Sequence, residues 1–419
     1  MCNVPASRNL ASRLWPSYVE TVMQHPRAKA RRVASLAALF VSLVCVHAGA
    51  GPKVDMSKAR RTGSRVTAPT SQGNGVLTLD PKLQRDVENL LRRARAPEAA
   101  AVVIDVRTGR ILAWSSVDGR GRDLVAEPYA PPASLFKVVT AAALLEGHKV
   151  PTSTRQCYVG GHRNVYLRDL RSSGAGGATC STFATALGFS QNMVMAGLAV
   201  RFLDPPKLQT MSERLGFNGS VPIDVDVGAG SSRVPTSDEG MARAAAGFGP
   251  GTLTPLEAAY MMTIVARDGE RPVLRLVDHI TDPSGSTKEL PAPSVGPRRA
   301  ISTATARSLR DMLEVTPREG TAFKAFRDRS GKRYLGTHCG GGKTGTLSRG
   351  KQARLFSWYA GYAPARNPEV AVAVMLANEQ RWWRKGPEVA RDVLRAYFAH
   401  NKTAGVTHPI RHATARREP

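Results

Sequence analysis

Apolar residues recur at helix and strand spacings from residue 77 onward, and their pattern predicts the first elements of a folded domain. Asp80 followed by Pro81 predicts a helix start, since aspartate caps a helix and proline fits its first turn. The apolar stripe of that helix consists of Leu83, Val87, Leu90 and Leu91. Residues 101–106 and 111–115 are apolar runs on either side of an Arg-Thr-Gly turn, which predicts a two-stranded hairpin.

Later patterns complete a mixed helix and strand architecture. Residues 134–147 and roughly 181–215 carry helical patterns, and a closing helix is expected near 387–399. Residues 355–362 and 370–375 predict a second hairpin. Strands at both ends with helices between them predict an α/β (α+β) fold, in which an antiparallel sheet is flanked by helices and carries an inserted all-helical subdomain.

An N-terminal segment predicts export. Val33 to Val46 is an apolar run of 14 residues that follows Arg27, Lys29, Arg31 and Arg32 and precedes Ala48-Gly49-Ala50. A basic flank, an apolar middle and small residues at the exit are typical of a signal peptide. The run is shorter than the ~20 residues that comfortably span a bilayer, and a retained short anchor is the alternative. We expect the basic end to stay in the cytoplasm and the rest to work outside the membrane.

Composition divides the chain further and narrows its partners. Residues 1–50 form the basic segment with its signal peptide or anchor, 51–76 read as a Gly-, Ser- and Thr-rich linker, 77–400 as the folded domain, and 401–419 as a basic tail. The net charge is +26, and nearly half of it lies in residues 1–66, which carry +9, and in the tail 401–419, which carries +3. Basic residues do not concentrate into a stripe with stacking aromatics, so we expect a solvated basic surface and no nucleic-acid binding.

The cysteines permit a disulfide in an oxidising compartment. Cys2 and Cys45 belong to the leader, which leaves Cys157, Cys180 and Cys339 and three possible single pairings. Cys157 and Cys180 flank a glycine-rich loop that could fold back to join them. A zinc site from these cysteines with His162 or His338 lacks the paired close spacing of such sites.

The first motif whose side chains could carry out catalysis is Ser134-Leu-Phe-Lys137, at the start of a predicted helix after two prolines. Residues three apart in a first turn are neighbours on one face. Serine needs a base to become a nucleophile, and lysine can be that base if burial or another cation lowers its pKa. A second Ser-x-x-Lys, from Ser348 to Lys351, lies in a glycine-broken stretch without a helix signal, so the spacing alone is weak evidence.

Two further motifs gain meaning beside the first. Ser190-Gln-Asn192 offers a hydroxyl that can relay a proton and a carboxamide that can hold an amide, although alone it reads as a polar helix junction. Lys343-Thr344-Gly345-Thr346 follows three glycines and precedes a strand pattern. The alternative interpretation of this segment is a phosphate-binding loop, but Thr337 occupies the position of that loop's first glycine, and a helix does not follow. A Lys-Thr-Gly strand instead offers a cation and hydroxyls for a carboxylate.

The order of these motifs resembles the penicillin-interacting serine acyltransferases, and most of all the transpeptidase domain of penicillin-binding proteins, from about Thr78 to Tyr397. The resemblance implies the serine β-lactamase/transpeptidase-like fold. Flanking segments similar to the family are residues 79–84, 101–115, 247–256, 319–321 and 358–364, and the segment from Cys157 to Cys180 resembles a cysteine-paired loop of some members.

The resemblance also implies the role of each motif residue. Ser134 attacks the penultimate D-Ala carbonyl of a stem peptide, Lys137 is its base, and Ser190 relays a proton in the field of Lys343. Asn192 holds the peptide amide. The terminal carboxylate is bound by the motif strand through Thr344, Gly345 and Thr346.

It follows that the expected activity is peptidoglycan D,D-transpeptidation, blocked by β-lactams and needing no metal or organic cofactor. The expected partners are stem peptides, β-lactam antibiotics and cell-wall synthesis proteins, together with the cytoplasmic membrane if the leader is retained. The expected location is outside the cytoplasm of a bacterium. Ala133 departs from the glycine of many members, and no glycosyltransferase or pedestal domain is expected ahead of the linker. The alternatives are a serine β-lactamase, a D,D-carboxypeptidase and a non-catalytic β-lactam sensor or wall-binding scaffold. The Glu-x-x-Leu-Asn deacylation motif of β-lactamases is not found between Asn192 and Lys343.

Overall fold

The structure, a computed structural model, describes residues 51–147, 150–159, 165–171, 177–219, 221–293, 298–349, 354–379 and 381–403. The strands are β1 (Arg60–Thr62), β2 (Arg65–Thr70), β3 (Gly73–Leu77), β4 (Glu98–Asp105), β5 (Ile111–Asp118), β6 (Arg155–Tyr158), β7 (Thr179–Thr182), β8 (Ser231–Ser232), β9 (Gly251–Thr252), β10 (Val277–Thr281), β11 (Thr287–Lys288), β12 (Gly341–Arg349), β13 (Arg354–Ala363) and β14 (Val370–Asn378). The helices are α1 (Pro81–Ala94), α2 (Phe136–Leu145), α3 (Leu167–Arg171), α4 (Phe183–Gly188), α5 (Asn192–Phe202), α6 (Pro205–Arg214), α7 (Asp238–Arg243), α8 (Pro255–Ala266), α9 (Thr303–Arg318) and α10 (Gly386–Thr403).

The central sheet joins the two ends of the domain, as predicted. Its order is β12-β13-β14-β4-β5, and every neighbouring pair is antiparallel. Alternate residues of β4 enter different cores, because successive strand side chains point to opposite faces. Val102 joins the core that contains α2, α5 and α8, whereas Val103 packs with α1 and α10. Both faces of β4 and β14 are therefore covered, which explains their continuous apolar sequences.

The predicted linker over 51–76 is wrong for most of its length. Three strands, β1 to β3, lie there and form a second five-stranded sheet with β10 and β11, in the order β1-β2-β3-β10-β11. The buried side chains are few and small, with Val66 and Ala68 only 1% exposed each. A two-residue alternation among glycines, threonines and arginines is a weak apolar signal, and composition concealed it.

The long helical segment predicted over 181–215 consists of three helices, α4, α5 and α6. Ser190 has a φ of +57°, a left-handed conformation that ends the first segment, and Asp204 with Pro205 starts the third. Two short antiparallel strand pairs, β6–β7 and β8–β9, lie before and after these helices along the chain, so the inserted subdomain is mainly but not entirely helical. A helix that combines the length and apolarity needed to cross a bilayer is not found among the described residues.

The cysteine pairing suggested by the glycine-rich loop is confirmed. Cys157 on β6 lies directly opposite Cys180 on β7, and a disulfide joins them. Cys339 is a free thiol, half-buried just ahead of β12. His162 and residues 160–164 and 172–176 of the loop lie outside the described residues, as do the predicted leader and all but the first residues of the predicted tail.

Candidate active site

A short 3-10 turn, Ala133–Leu135, presents Ser134 at the entrance to α2. Two prolines precede the turn, and the indole nitrogen of Trp358 on β13 donates a hydrogen bond of 3.0 Å to the carbonyl of Pro131. Ala133 has a φ of +48°, a left-handed conformation in which an alanine is strained. The glycine common in the resembling family suits this conformation better, so the departure at Ala133 has a local cost.

A second segment lies directly against this turn. Residues Ala244–Phe248 form a π-helical turn, inside which Gly247 has a φ of +93°. A side-chain carbon on Gly247 would lie 2.3 Å from the Ala133 carbonyl oxygen, so only glycine fits between the two backbones. The hydroxyl of Thr140 on α2 donates to the Ala245 carbonyl at 2.9 Å, which ties the segment to the nucleophile helix.

Lys137 lies in the first turn of α2 and is completely buried. Its Nζ is 2.8 Å from Ser134 Oγ, 2.7 Å from Asn192 Oδ1 and 2.7 Å from the Ala246 carbonyl oxygen. Asn192 Oδ1 and the Ala246 oxygen can only accept hydrogen bonds. A neutral amine has two N–H donors, which these two acceptors use, and its lone pair then faces the Ser134 hydroxyl. This is the arrangement that a base needs.

The electrostatics favour that neutral amine. Burial lowers the pKa of Lys137 well below its ordinary value, and the nearby charge of Lys343 lowers it further. Lys343 is also completely buried, and burial lowers its pKa to about 7. The two amines thus share a dry site in which a protonated lysine is unfavourable, and Lys137 is the one held against the serine.

Asn192 is the first residue of α5, and its side-chain oxygen accepts from Lys137. Ser190, two residues earlier and half-buried, belongs to the same left-handed junction. This junction is held by the segment after α9, because the backbone N–H of Thr321 donates to the Gly188 carbonyl at 3.2 Å. A side-chain carbon on Gly320 would lie 2.3 Å from the same carbonyl oxygen, which requires glycine there.

The Lys-Thr-Gly motif lies on β12, the edge strand of the central sheet, as predicted, and packs against the Ser134 turn. Lys343 and Gly345 are buried, while Thr344 is half-buried and Thr346 is exposed. Lys343 Nζ donates to the Thr344 carbonyl at 3.0 Å. The Thr344 hydroxyl lies 2.6 Å from that of Thr321. The motif is therefore extended backbone, and the phosphate-loop alternative does not fit it.

Gly345 and Trp358 connect this strand to the serine. They are register partners on β12 and β13, and a side-chain carbon on Gly345 would lie 3.1 Å from Trp358 Cβ. The same Trp358 bonds the Pro131 carbonyl three residues before Ser134. One aromatic side chain thus fixes the distance between the motif strand and the nucleophile turn.

The sequence motifs therefore converge on one place. Lys137 hydrogen bonds to both Ser134 and Asn192, Lys343 acts on Lys137 through its charge, and β12 packs beside the serine turn. Sequence reasoning did not assign the Ala246 carbonyl, Thr321 or Trp358. The segments 247–256, 319–321 and 358–364, whose sequences resemble the family, contain or adjoin all three groups.

Within the described part of the chain, His, Cys, Asp and Glu do not cluster in threes as metal ligands would. The side chains around Ser134 are amines, an amide and hydroxyls. Such a donor set suits acyl transfer through a covalent serine ester, in which proton movement and charge stabilisation are supplied by the protein.

Comparison with known proteins agrees with this geometry. Residues 99–398 match the family model described as penicillin binding protein transpeptidase domain. Stage V sporulation protein D of Bacillus subtilis is 28% identical over 342 residues, which cover 76% of this chain and 52% of that protein. Peptidoglycan D,D-transpeptidase PbpA of Mycolicibacterium smegmatis is 28% identical over 291 residues, which cover 66% of this chain and 55% of that protein. The chain spans about half the length of the curated relatives it matches.

A solved structure shares the fold. The D,D-transpeptidase domain of a peptidoglycan glycosyltransferase from Eggerthella lenta superposes with a TM-score of 0.63 at 26% identity. The match covers 78% of this chain and 84% of that one. The predicted serine β-lactamase/transpeptidase-like fold, an antiparallel sheet flanked by helices, is therefore confirmed.

Proposed function

Because the chain belongs to the family of penicillin-binding protein transpeptidase domains, we propose that it is a peptidoglycan D,D-transpeptidase that works through an acyl-enzyme on Ser134. The observation that carries this proposal is the contact of Lys137 with Ser134, Asn192 and the Ala246 carbonyl in a completely buried site. That arrangement gives the serine a neutral amine as its base.

The acylation step follows from this geometry. Ser134 Oγ attacks the carbonyl carbon of the penultimate D-Ala, and its proton passes to Lys137 Nζ. The bond to the terminal D-Ala nitrogen then breaks, and that nitrogen takes the proton from Lys137 by way of the Ser190 hydroxyl, with Lys343 stabilising negative charge nearby. The products are a Ser134 ester and free D-Ala.

The second step transfers the acyl group. An amine on a neighbouring stem peptide attacks the ester carbonyl and loses a proton to Lys137 Nζ. The bond to Ser134 Oγ then breaks, and the same proton returns from Lys137 to the serine oxygen. The new amide is the crosslink between two stem peptides. A β-lactam resembles the donor peptide, and its ring-opened acyl group would stay on Ser134.

The remaining motif residues would orient the donor. Asn192 Oδ1 faces Lys137, which fixes the carboxamide and turns its NH₂ group away from the lysine. We assign the peptide amide to Asn192 and the terminal carboxylate to Thr344, Gly345 and Thr346 on the edge strand. The oxyanion would be held by the backbone N–H groups of Ser134 and Thr346, at about 3–4 kcal/mol per donor.

The test is labelling with a fluorescent penicillin, followed by mass mapping of the adduct. We expect a long-lived adduct on the peptide that contains Ser134 and its loss in Ser134→Ala. Ser348→Ala is the matched control, because Ser348 begins the other Ser-x-x-Lys sequence but lies exposed on β12, while its Lys351 lies outside the described residues. An adduct that survives in Ser134→Ala would contradict the proposal.

Three outcomes would favour other functions. Rapid turnover of penicillin would identify a β-lactamase, and release of D-Ala without dimeric products would identify a D,D-carboxypeptidase. Normal function of Ser134→Ala in cells would favour a sensor or wall-binding scaffold.

We also propose that the folded domain works outside the cytoplasmic membrane of a bacterium, beside cell-wall synthesis proteins. The basic and apolar segment that ends at Val46 supports this placement. A reporter enzyme that is active only after export, fused to the C-terminus, tests it; a reporter active only in the cytoplasm would contradict it.

A further inference from the structure

A cavity of about 640 Å³ lies at the far end of the central sheet from the motif lysines. Its lining includes Arg95, Arg354, Asn378, Glu379, Arg381 and Trp383. In the sheet register, Lys343 pairs with Ala360 on β13, whereas Asn378 pairs with Leu355. These positions on β13 are five residues apart, or about 17 Å at ~3.4 Å per residue. Thr346 pairs with Ser357, which is closer, but Asn378 lies two residues after Leu376 and therefore on the sheet face that packs with α1 and α10, whereas Trp358 and Ala360 belong to the face that carries α2. Asn378 is therefore on the opposite face of the sheet from the Ser134 site.

Asn378 is the unusual group in this cavity. It ends β14, is 1% exposed, and neither its Nδ2 nor its Oδ1 has a hydrogen-bond partner. Among the described buried side chains, it is the only carboxamide with both polar atoms unpaired. Buried polar groups are nearly always satisfied, and an unsatisfied amide destabilises the fold unless a ligand completes it. An amide needs a partner that both donates and accepts, and another amide does both.

The cavity also has an excess of positive charge. Arg354 reaches the Glu98 carboxylate at 3.8 Å, but Arg122 holds that carboxylate more closely, at 3.0 Å. The Nη1 atom of Arg354 has no hydrogen-bond acceptor. Arg381 is exposed at the rim, and Glu379 is the single carboxylate among the lining residues described above. The Arg354 side chain is 29% exposed, and a carboxylate ligand would complete its guanidinium, since the two groups match in charge and geometry.

Trp383 supplies the apolar wall. Its side chain is 63% exposed, which makes it the most exposed large apolar side chain in the described part of the chain. The Arg95 guanidinium lies 5.6 Å from the ring centroid. An exposed indole beside a guanidinium provides a flat surface for the aliphatic part of a ligand and a second charge for its anionic part.

We propose that this cavity is a second ligand site for a peptide that carries a carboxylate next to an amide. The carboxylate would bind Arg354 and Arg381, the amide would pair with Asn378, and the alkyl groups would lie on Trp383. This assignment rests on the proposed function, because a stem peptide carries both groups and would be abundant around such an enzyme. The site would hold a second stem peptide while Ser134 processes the first.

The test titrates acetyl-D-alanyl-D-alanine into the full chain labelled with 5-fluorotryptophan, after Ser134 has been acylated by penicillin. Fluorine NMR reports each of the five tryptophans, and Trp383→Phe assigns the relevant resonance. We expect a saturable shift of the Trp383 resonance, about tenfold weaker binding in Arg381→Ala, and no saturable shift with the methyl ester. Arg329→Ala is the matched control, since Arg329 is exposed and outside the cavity.

Asn378→Leu separates ligand binding from folding. Replacing an unsatisfied buried amide by an apolar side chain should raise the thermal midpoint, while binding of the dipeptide weakens. A lower midpoint would mean that the amide has a structural role and would overturn the proposal. Three other results would also overturn the proposal. These are unchanged dipeptide affinity in both Asn378→Leu and Arg381→Ala, equal binding of the methyl ester, and saturation only by an acidic polyglutamate peptide.

The same samples keep the two proposals apart. Penicillin labelling of Ser134 with no response at Trp383 would overturn the second site alone. A response at Trp383 without labelling would overturn the proposed function, and a titration of Ser134→Ala then shows whether the cavity binds the dipeptide by itself.

Discussion

Replacing Lys137 by methionine is the sharpest test of the active-site chemistry. Methionine has a similar length and no charge, so it fits a completely buried position. The change removes the group that lies 2.8 Å from Ser134 Oγ and leaves Asn192 Oδ1 and the Ala246 carbonyl without their donor. Each lost partner costs about 1–3 kcal/mol, and removing a buried amine offsets part of that cost, so the protein should still fold.

The effect on acylation should be much larger than the effect on folding. A positioned base contributes about 10²- to 10⁴-fold to proton transfer, which corresponds to roughly 3–5 kcal/mol in the activation barrier. We therefore expect the second-order rate constant for acylation by a fluorescent penicillin to fall by at least about a hundredfold. Lys137→Arg should fall similarly, because a guanidinium stays protonated at neutral pH.

The assay is a time course of labelling at pH 7 and 9, with the thermal midpoint measured on the same samples. Lys332→Met, at an exposed lysine, is the matched control and should label like the wild type. Acylation of a folded Lys137→Met variant within threefold of the wild-type rate would refute Lys137 as the base. Below the lowered pKa of Lys137 the wild type should also lose activity, because protonation removes the lone pair.

Two further changes probe groups around this centre, and a third probes a buried carboxylate at the start of α8. Trp358→Phe removes the donor to the Pro131 carbonyl, and we expect urea unfolding to report a loss of about 1–3 kcal/mol together with slower labelling; full-rate labelling would contradict the positioning role. Thr321→Val removes the 2.6 Å contact with the Thr344 hydroxyl. Donor-peptide KM should rise about tenfold at nearly constant kcat, as expected for ground-state binding; a fall in kcat alone would contradict it. Burial raises the pKa of Glu257 from 4.5 to about 7. The contribution of Glu257 to the free energy of unfolding is therefore present below pH 4.5 and is lost as the pH rises through 7, a loss of about 3 kcal/mol. Glu257→Gln should flatten the curve of unfolding free energy against pH in this range. An unchanged curve would contradict the reasoning.

The strong apolar patterns identified the central sheet, because β4, β13 and β14 are buried on both faces and leave continuous apolar runs. The second sheet escaped detection for the opposite reason. In β1 and β2 only Val66 and Ala68 are buried, and the other positions are polar apart from Pro69. The apolar pair Val76 and Leu77 comes only at the end of β3. Local sequence does not show that β10, some 200 residues later, completes the sheet. Only the tertiary pairing reveals it.

The site was predictable to the extent that its chemistry comes from side chains. Ser134, Lys137, Asn192 and Lys343 are recognised by residue type and order. The Ala246 carbonyl is a backbone group and has no sequence signature of its own. The contact of Trp358 with Pro131 joins residues that are 227 positions apart, and the tryptophan reads in sequence as an ordinary core residue. Positioning groups of this kind become visible only in three dimensions.

The partners of the two buried lysines explain why this site can generate a base. Neither hydrogen bonds to a carboxylate among the described contacts: Lys137 bonds a hydroxyl, a carboxamide and a carbonyl, and Lys343 bonds the Thr344 carbonyl. A carboxylate at position 192 would form an ion pair and hold the pKa of Lys137 up. The carboxamide of Asn192 has the same shape and accepts the same hydrogen bond without the charge. Desolvation and the neighbouring amine then act unopposed, so Lys137 loses its proton while remaining fixed against Ser134.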